Sequence, residues 1–166
     1  MFDIYEKVKQ FNTIAISAHA RPDGDAIGSS QAIYLYLKKR MPNADIKVYL
    51  EKPDACFSLM PCIDHIVSED VPDKEVDCFI MLDTVKERLG DAESLFDKAC
   101  YRINIDHHVS NKGNLCNDEY IVPEISATCE LVYHVLDKKY IDELDYYMFK
   151  HKEEIKEQIR NINLVR

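Results

Sequence analysis

Seven aspartate and histidine side chains, spread over three short segments, are of the residue types found in metal-dependent active sites. The segment SAHARPDGDAIGSS, residues 17–30, holds a histidine and two aspartates within seven residues. A single aspartate follows the apolar run VDCFIML, and an Asp-His-His triplet follows the run CYRINI. The seven residues are His19, Asp23, Asp25, Asp83, Asp106, His107 and His108.

Such a group would be unfavourable without cations, because its four carboxylates repel one another. Oxygen donors with some imidazole suit Mn²⁺, Mg²⁺, Co²⁺ or Fe²⁺ better than a thiolate-preferring metal. Seven candidate ligands are too many for one ion and about right for two. Paired ions about 3.5–4 Å apart can clamp a phosphoryl group and convert water to a hydroxide nucleophile. The residue types therefore predict a site whose carboxylates are neutralised by two divalent metal ions.

Strands and helices are predicted to alternate around these segments and to bring the seven side chains together. Short apolar, β-branched runs indicate buried strands, and apolar residues at helical spacing indicate helices. The predicted strands are 12–18, 45–51, 76–83 and 100–108, and the predicted helices are 1–11, 26–40 and 124–140. This order favours an α/β fold, with a parallel sheet of about four to five strands flanked by helices. The working site of such a sheet lies at the carboxyl ends of its strands.

Composition and charge exclude several classes of protein. The 166 residues carry a net charge of −9, which argues against binding along a nucleic-acid duplex, because that requires a basic stripe. No apolar run approaches the ~18 residues of a membrane span. The N-terminus is charged from residue 3, unlike a secretory signal, so we expect a cytoplasmic protein. The six cysteines form no Cys-X-X-Cys pair and mostly have apolar neighbours, so we expect buried, reduced thiols.

Four segments, in chain order, resemble the motifs of the DHH phosphoesterases. They are HARPDGDAIGSS, MLDTVKERLG, NIDHHVSN and VPEISATCELVYHVL, and the resemblance runs over about residues 1–140. It is strongest to the branch that contains RecJ-like enzymes, nano-RNases and 3′-phosphoadenosine-5′-phosphate phosphatases. The resemblance implies a metal-dependent hydrolase that cleaves phosphoester bonds in small nucleotides or short oligonucleotides.

The resemblance also implies a dinuclear centre, usually with manganese, for which Mg²⁺ or Co²⁺ is the alternative. His19 and Asp23 would bind the first ion, and Asp25 and His107 the second. Asp83 would bridge the two ions. It would thereby take part in catalysis as well as in metal binding.

Five further residues are implied or suggested as supporting parts of the site. His108 would contact the scissile phosphate or orient groups around it, and Asp106 would hold a histidine in one tautomer. Arg21, Ser29 and Arg88 are possible phosphate contacts. For each arginine the alternative is a surface charge or a salt bridge that braces a loop. For the serine, which lies in the first turn of the predicted helix 26–40, the alternative is a purely structural role at the helix N-terminus.

The C-terminal residues 141–166 differ from what the resemblance implies. Full-length relatives continue with another aspartate ligand for the second metal, and then with a separate substrate-binding domain that has a glycine-rich loop. Here the segment has apolar residues at helical spacing, which predicts one amphipathic helix packed on a domain of residues 1–140. Formation of a homo-oligomer, or docking onto a C-terminal partner domain, is the alternative.

The missing motifs leave two other functions open. One is an incomplete or non-catalytic module that binds a metal or a nucleotide and acts through its C-terminal helix or a partner chain. The other, ranked lower, is an inorganic pyrophosphatase, because family II pyrophosphatases share the metal ligands. A metal titration and a mass measurement in solution would discriminate between the module and the enzyme.

Overall fold

The computed structural model describes residues 2–60 and 62–140 of the chain. Within them, six strands form one sheet in the order β3-β2-β1-β4-β5-β6, and every neighbouring pair is parallel. The strands are β1 (Thr13–Ser17), β2 (Asp45–Tyr49), β3 (Ile66–Val67), β4 (Cys78–Leu82), β5 (Tyr101–Asp106) and β6 (Asp118–Ile121). Because every neighbouring pair is parallel, the carboxyl ends of all six strands lie at one edge of the sheet.

Four α-helices accompany the sheet in the described part of the chain. They are α1 (Ile4–Val8), α2 (Gly24–Arg40), α3 (Glu93–Lys98) and α4 (Thr128–Val135). The first two begin at aspartates, Asp3 and Asp23, whose side chains accept hydrogen bonds from the first unpaired backbone N–H groups. Among the described residues, no helix is both long enough and apolar enough to cross a membrane.

The two faces of the sheet bury separate clusters of apolar side chains. The residues of β4 divide between them because side chains alternate along a strand. Ile80 and Leu82 pack with α1, α2 and α4, whereas Phe79 and Met81 pack with α3. A strand covered on both faces has no polar side, which explains the uninterrupted apolar run of β4. The two clusters hold the central strands rigidly and thereby position the residues that follow them.

The predicted α/β fold is confirmed, and the four predicted strands are β1, β2, β4 and β5. The two strands missed by the sequence analysis lie at the edges of the sheet. β3 has two residues, and β6 has no fully buried residue, so neither contains an apolar run. The predicted helix 124–140 is shorter in the structure, because the chain becomes extended at Leu136. The predicted amphipathic helix over 141–166 lies outside the described residues.

The cysteines are free, but most are not buried as expected. Only Cys78, in the central strand β4, is buried, whereas Cys56, Cys100 and Cys129 are exposed. The expectation of buried thiols was therefore wrong for these three residues. Apolar neighbours in sequence do not bury a residue that precedes a strand, as Cys100 does, or that lies in the first turn of a helix, as Cys129 does.

Candidate metal centre

The candidate site begins where β1 and β4 lie side by side at the middle of the sheet. The chain continues from these two strands in opposite directions, since β2 and β3 lie on one side and β5 and β6 on the other. Such a switch point opens a crevice at the carboxyl ends, where ligands bind in open α/β sheets. His19 follows β1 and Asp83 follows β4, and both are buried, at 6% and 2% exposed.

Asp83 is held in a backbone conformation that is uncommon for a residue other than glycine. Its φ is 56°, in the left-handed region. Its N–H donates to the carbonyl oxygen of Ile105 at 3.0 Å, which ties the turn after β4 to the adjacent strand β5. Strained backbone of this kind persists only where the surrounding structure holds it, and it concentrates at functional sites.

His19, Asp23 and Asp83 form a first cluster, in which one ligand atom of each lies within 4.8 Å of the others. The Nε2 atom of His19 lies 3.8 Å from Asp23 Oδ1 and 3.6 Å from Asp83 Oδ2. The Nδ1 atom of His19 lies 2.9 Å from the carbonyl oxygen of Ala20. Because a carbonyl oxygen only accepts, the proton of the neutral ring is assigned to Nδ1, and the Nε2 lone pair faces the carboxylates.

The charges in this cluster shift two pKa values. The carboxylate of Asp83 raises the pKa of His19 above its ordinary value, although burial and the charge of Arg88 act in the opposite direction. Burial alone would raise the pKa of Asp23, but the backbone N–H of Ala26 and the charge of His19 lower it overall. The raised pKa of His19 reflects the negative charge of the carboxylates around it, and a metal cation at this position would compete with a proton on Nε2.

Asp83, His107 and His108 form a second cluster of the same kind. The Oδ1 atom of Asp83 lies 3.5 Å from His107 Nε2 and 3.6 Å from His108 Nδ1. The Nδ1 atom of His107 lies 3.1 Å from the carbonyl oxygen of Ile125, which assigns the same tautomer as in His19. Asp83 thus belongs to both clusters, with a different carboxylate oxygen directed at each.

Asp106 lies behind the second cluster and is fully buried. Its Oδ1 atom is 2.7 Å from His108 Nδ1, and its Oδ2 atom accepts a hydrogen bond of 2.7 Å from Asn111 Nδ2. The amide of Asn111 also donates to the carbonyl oxygen of Thr84 at 3.3 Å. The buried carboxylate therefore takes the Nδ1 proton of His108 and leaves Nε2 of that ring free.

Asp25 lies beside the second cluster but belongs to neither three-residue group. Its Oδ2 atom is 3.7 Å from His107 Nε2. The same carboxylate accepts hydrogen bonds from the backbone N–H groups of Thr128 at 2.7 Å and Cys129 at 2.8 Å. These N–H groups open α4 and have no partner inside the helix. A carboxylate on α2 thereby caps α4, while it remains close enough to His107 to share a cation with it.

The donor set of the two clusters fits divalent metal ions. Each cluster combines carboxylate oxygen with imidazole nitrogen, a mixture that Mn²⁺, Fe²⁺ and Co²⁺ accept. The second nitrogens of His19 and His107 are hydrogen-bonded to carbonyl oxygens, as is usual for histidines that bind metals. The residues that could hold such ions are therefore His19, Asp23, Asp83 and His107, with Asp25 adjacent, whereas the His108 nitrogen nearest Asp83 carries the proton that Asp106 accepts.

The structure places the three possible phosphate contacts differently. Ser29 is 0% exposed and its hydroxyl donates to the carbonyl oxygen of Ala26, so it faces the interior and is corrected to a structural residue. Arg88 is exposed, and its positive charge acts to lower the pKa of His19. Its guanidinium group therefore lies near the first cluster. Arg21 is exposed and has a φ of 55°, and its N–H donates to Glu51.

A cleft with a volume of about 380 Å³ opens beside the first cluster, next to the loop that follows β1. It is lined by Arg21, Pro22, Glu51, Lys52 and Asp54. The two carboxylates already accept backbone hydrogen bonds, Glu51 from Arg21 at 2.9 Å and Asp54 from Cys56 at 3.0 Å. The two cationic side chains, Arg21 and Lys52, line the same cleft and can meet an anion.

Two residues of the site, Asn111 and Thr128, were missed by the sequence analysis. Asn111 holds Asp106, and the hydroxyl of Thr128 donates to Asp83 Oδ1 at 2.9 Å. Both lie in motif segments, NIDHHVSN and VPEISATCELVYHVL. A threonine at the start of a helix is ordinarily explained as a cap, but here the N-cap position is Ala127. Only the position of α4 across the crevice indicates the contact with Asp83.

A parallel sheet that gathers aspartates and histidines at its switch point defines an α/β protein with a candidate divalent-metal centre. The family described as "DHH family, N-terminal domain" matches residues 13–164. The chain therefore belongs to the DHH family, as its motifs indicated, and it contains the N-terminal domain of that family.

Known relatives agree with this assignment. The chain is 24% identical over 127 residues to "Bifunctional oligoribonuclease and PAP phosphatase NrnA" of Mycoplasma genitalium, covering 75% of this chain and 39% of the relative. It is 28% identical over 134 residues to "Probable bifunctional oligoribonuclease and PAP phosphatase NrnA" of Streptococcus mutans, covering 78% and 40%.

A solved structure has the same fold over most of the chain. The crystal structure of an exopolyphosphatase-related protein from Bacteroides fragilis superposes with a TM-score of 0.68 at 28% identity, covering 76% of this chain and 39% of that one. The chain thus spans about two fifths of the length of the relatives it matches.

Proposed function

We propose that this chain carries the metal-dependent half of a hydrolase for phosphoester bonds in small nucleotides or short oligonucleotides. The observation that carries the proposal is the position of Asp83. Its Oδ2 atom lies 3.6 Å from His19 Nε2, and its Oδ1 atom lies 3.5 Å from His107 Nε2. One carboxylate shared by two clusters is the arrangement needed to bridge a pair of cations.

Two divalent cations, Mn²⁺ or alternatively Mg²⁺ or Co²⁺, are the proposed cofactors. His19 and Asp23 would hold the first ion, Asp25 and His107 would hold the second, and Asp83 would contribute to both positions. When bound, the pair supplies a hydroxide nucleophile from water and Lewis acidity at the phosphoryl oxygens. The carbonyl contacts of His19 and His107 keep the Nε2 lone pairs available for ligation.

His108 is a proposed catalytic residue. Its ring is oriented by Asp106 and not by the metal ions. Asp106 accepts the Nδ1 proton of this ring, so the Nε2 atom is the nitrogen presented for a second contact. At 39% side-chain exposure, the ring of His108 can reach a phosphate in the crevice. It can donate a proton to, or accept one from, an oxygen of the phosphoryl group.

Two further features support a small, anionic substrate. Arg21 and Lys52 line the cleft beside the first cluster, and Arg88 lies near His19. The net charge of −9 gives no extended basic surface for a long duplex. The NrnA relatives are named for oligoribonuclease and 3′-phosphoadenosine-5′-phosphate phosphatase activities. We propose that an enzyme built on this domain acts on substrates of the same class.

Calorimetric titration of Mn²⁺ into metal-stripped protein tests the proposal. The wild type should bind two ions, and Asp83→Asn should lose both, because one residue contributes to both clusters. Glu75→Gln is a matched control, since it removes one charge from an exposed residue that precedes β4, at the opposite end of that strand from Asp83. Full binding by Asp83→Asn would contradict the proposal.

Hydrolysis should be measured on the same samples with a dinucleotide and with 3′-phosphoadenosine-5′-phosphate. Loss of activity in Asp83→Asn together with loss of metal would support catalysis by this centre. A chain that binds two ions and cleaves neither substrate would favour the second candidate function, a metal-binding module completed by another domain or chain. The observation that favours this candidate is that the chain covers 39% and 40% of its NrnA relatives.

A further inference from the structure

The N-terminus of α4 contacts two carboxylates of the candidate site that come from different loops. The hydroxyl of Thr128 donates to Asp83 Oδ1 at 2.9 Å, and its backbone N–H donates to Asp25 Oδ2 at 2.7 Å. The next N–H, that of Cys129, donates to Asp25 Oδ1 at 2.8 Å. The first turn of α4 therefore connects residues that follow β4 and begin α2.

The direction of the Thr128 hydroxyl contact is unambiguous. An ionised carboxylate can only accept, so the hydroxyl must donate to Asp83. Thr128 is 0% exposed and Asp83 is 2% exposed, so water does not compete for either atom. The accepting oxygen, Oδ1, is the one that lies 3.5 Å from His107 Nε2. The hydrogen bond thus fixes the carboxylate oxygen that faces the second cluster, and Oδ2 is left directed at His19.

The rest of α4 is anchored well enough to act as a support. Leu131 and Val135 are 0% and 1% exposed and belong to the apolar cluster beneath the sheet. On the facing helix α2, a Cβ atom at Gly28 would lie 3.0 Å from Cys129 Sγ, so any larger residue would require the sulfur to shift by a few tenths of an ångström. The position of the first turn is therefore set by packing on both sides.

We propose that Thr128 is a positioning residue for the second metal position. This inference rests on the proposed function of the site. Its hydroxyl orients Asp83 and its N–H orients Asp25, so that both carboxylates face His107 before any cation arrives. Removing a group that orients a metal ligand through a hydrogen bond typically lowers the metal affinity about 10- to 100-fold. The first cluster, which uses Oδ2 of Asp83, depends on it less.

The test compares Thr128→Val, which keeps the shape and removes the hydroxyl, with Thr128→Ser, which keeps the hydroxyl. Mn²⁺ is titrated calorimetrically into metal-stripped wild type and both variants, and the unfolding temperature is measured without metal. We expect Thr128→Val to weaken one of two binding events by about 10- to 100-fold and to leave the other within about threefold. Thr128→Ser should restore the weakened event.

Three outcomes would overturn the inference. If Thr128→Val binds both ions as the wild type does, or if Thr128→Ser is as defective as the valine variant, the hydroxyl does not position the site. A merely structural role would lower the unfolding temperature without metal and leave the affinities unchanged. If the wild type itself binds no ion, the proposed function fails first and the inference is overturned with it.

Discussion

Asp106 and His108 form a carboxylate–imidazole pair in which the carboxylate is completely buried and the ring is partly exposed. The Oδ1 atom of Asp106 lies 2.7 Å from His108 Nδ1, and the side-chain exposures are 0% and 39%. A second donor, Asn111 Nδ2, contacts the other oxygen at 2.7 Å. The buried carboxylate, itself held by Asn111, thus determines the orientation of the His108 ring, which faces the crevice.

Asp106→Asn should lower turnover more than it lowers metal binding. The amide that replaces the carboxylate cannot accept at both oxygens, so the His108 ring loses its fixed orientation. We expect kcat to fall about 10- to 100-fold, with two Mn²⁺ ions still bound. Steady-state kinetics and calorimetry on the same preparation check this. A variant that loses both ions instead would show that Asp106 supports the clusters and not His108 alone.

Removal of the cleft cation Lys52 should weaken substrate binding and leave the chemistry intact. Lys52→Ala should raise KM for a substrate with two phosphates severalfold and change kcat little, because the cleft lies beside the metal clusters. Lys74→Ala is a suitable control, since Lys74 is paired with Asp45 at the amino end of β2. The effect should shrink as ionic strength rises. An unchanged KM would remove the cleft from the proposed substrate site.

Divalent metal should stabilise the folded chain. A ligand that binds only the folded state adds RT ln(1 + [L]/Kd), which is about 2.7 kcal/mol at a concentration of 100 Kd. Thermal unfolding with excess Mn²⁺ and with chelator should therefore differ by several degrees in the wild type. Asp83→Asn should unfold at the same temperature in both conditions. Equal stabilisation of that variant would place the metal elsewhere.

The Gly28→Ala variant should be less stable than the Gly24→Ala variant, although both positions lie in α2. Replacing a glycine in a helix interior by alanine gains about 0.5–1 kcal/mol from backbone entropy, and the gain should be smaller at Gly24, the first residue of α2. At Gly24 the new Cβ meets Phe57 at 3.7 Å, an ordinary contact, whereas at Gly28 it meets Cys129 Sγ at 3.0 Å. Urea unfolding of both variants without metal measures the difference. A Gly28→Ala protein as stable as Gly24→Ala would mean that α4 shifts without cost.

The ion pair between Lys7 and Asp118 should make stability depend on pH under acidic conditions. The contact is 2.6 Å and joins α1 to the edge strand β6. Burial would raise the pKa of Asp118, but hydrogen bonds from Lys7 and Tyr101 lower it below its ordinary 3.8. The contribution is therefore fully present above pH 3.8 and is lost as the pH falls through the lower folded-state pKa.

Asp118→Asn is the variant that isolates this contribution. Its loss of unfolding free energy should be at most about 1 kcal/mol near neutral pH, because Lys7 is partly exposed and solvent screens the pair. The difference from the wild type should narrow below pH 3.8, where Asp118 begins to take up a proton. Denaturant unfolding between pH 3 and pH 7 measures both. A difference that stays constant over this range would show that the charge of Asp118 is not the cause.

Much of the fold followed from local patterns. The apolar runs at β1, β4 and β5 are typical of strands buried on both faces, as in a parallel sheet between helices. The aspartates and histidines come immediately after those runs, so their convergence at the carboxyl edge followed from the parallel order. The edge strands β3 and β6 could not be recognised, because a short or half-exposed strand has no apolar run.

The sequence alone determined which residue types lie at the ends of which strands, since that depends on chain order and apolar periodicity. Only the tertiary structure decided that Asp83 directs one oxygen to each cluster and that α4 contacts both Asp83 and Asp25. It also decided that Ser29 points into the interior. Thr128 and Asp83 are 45 residues apart in the chain, and no local pattern encodes their contact. That contact is set by the packing of α4 against α2 and the sheet, which places its first turn over the crevice.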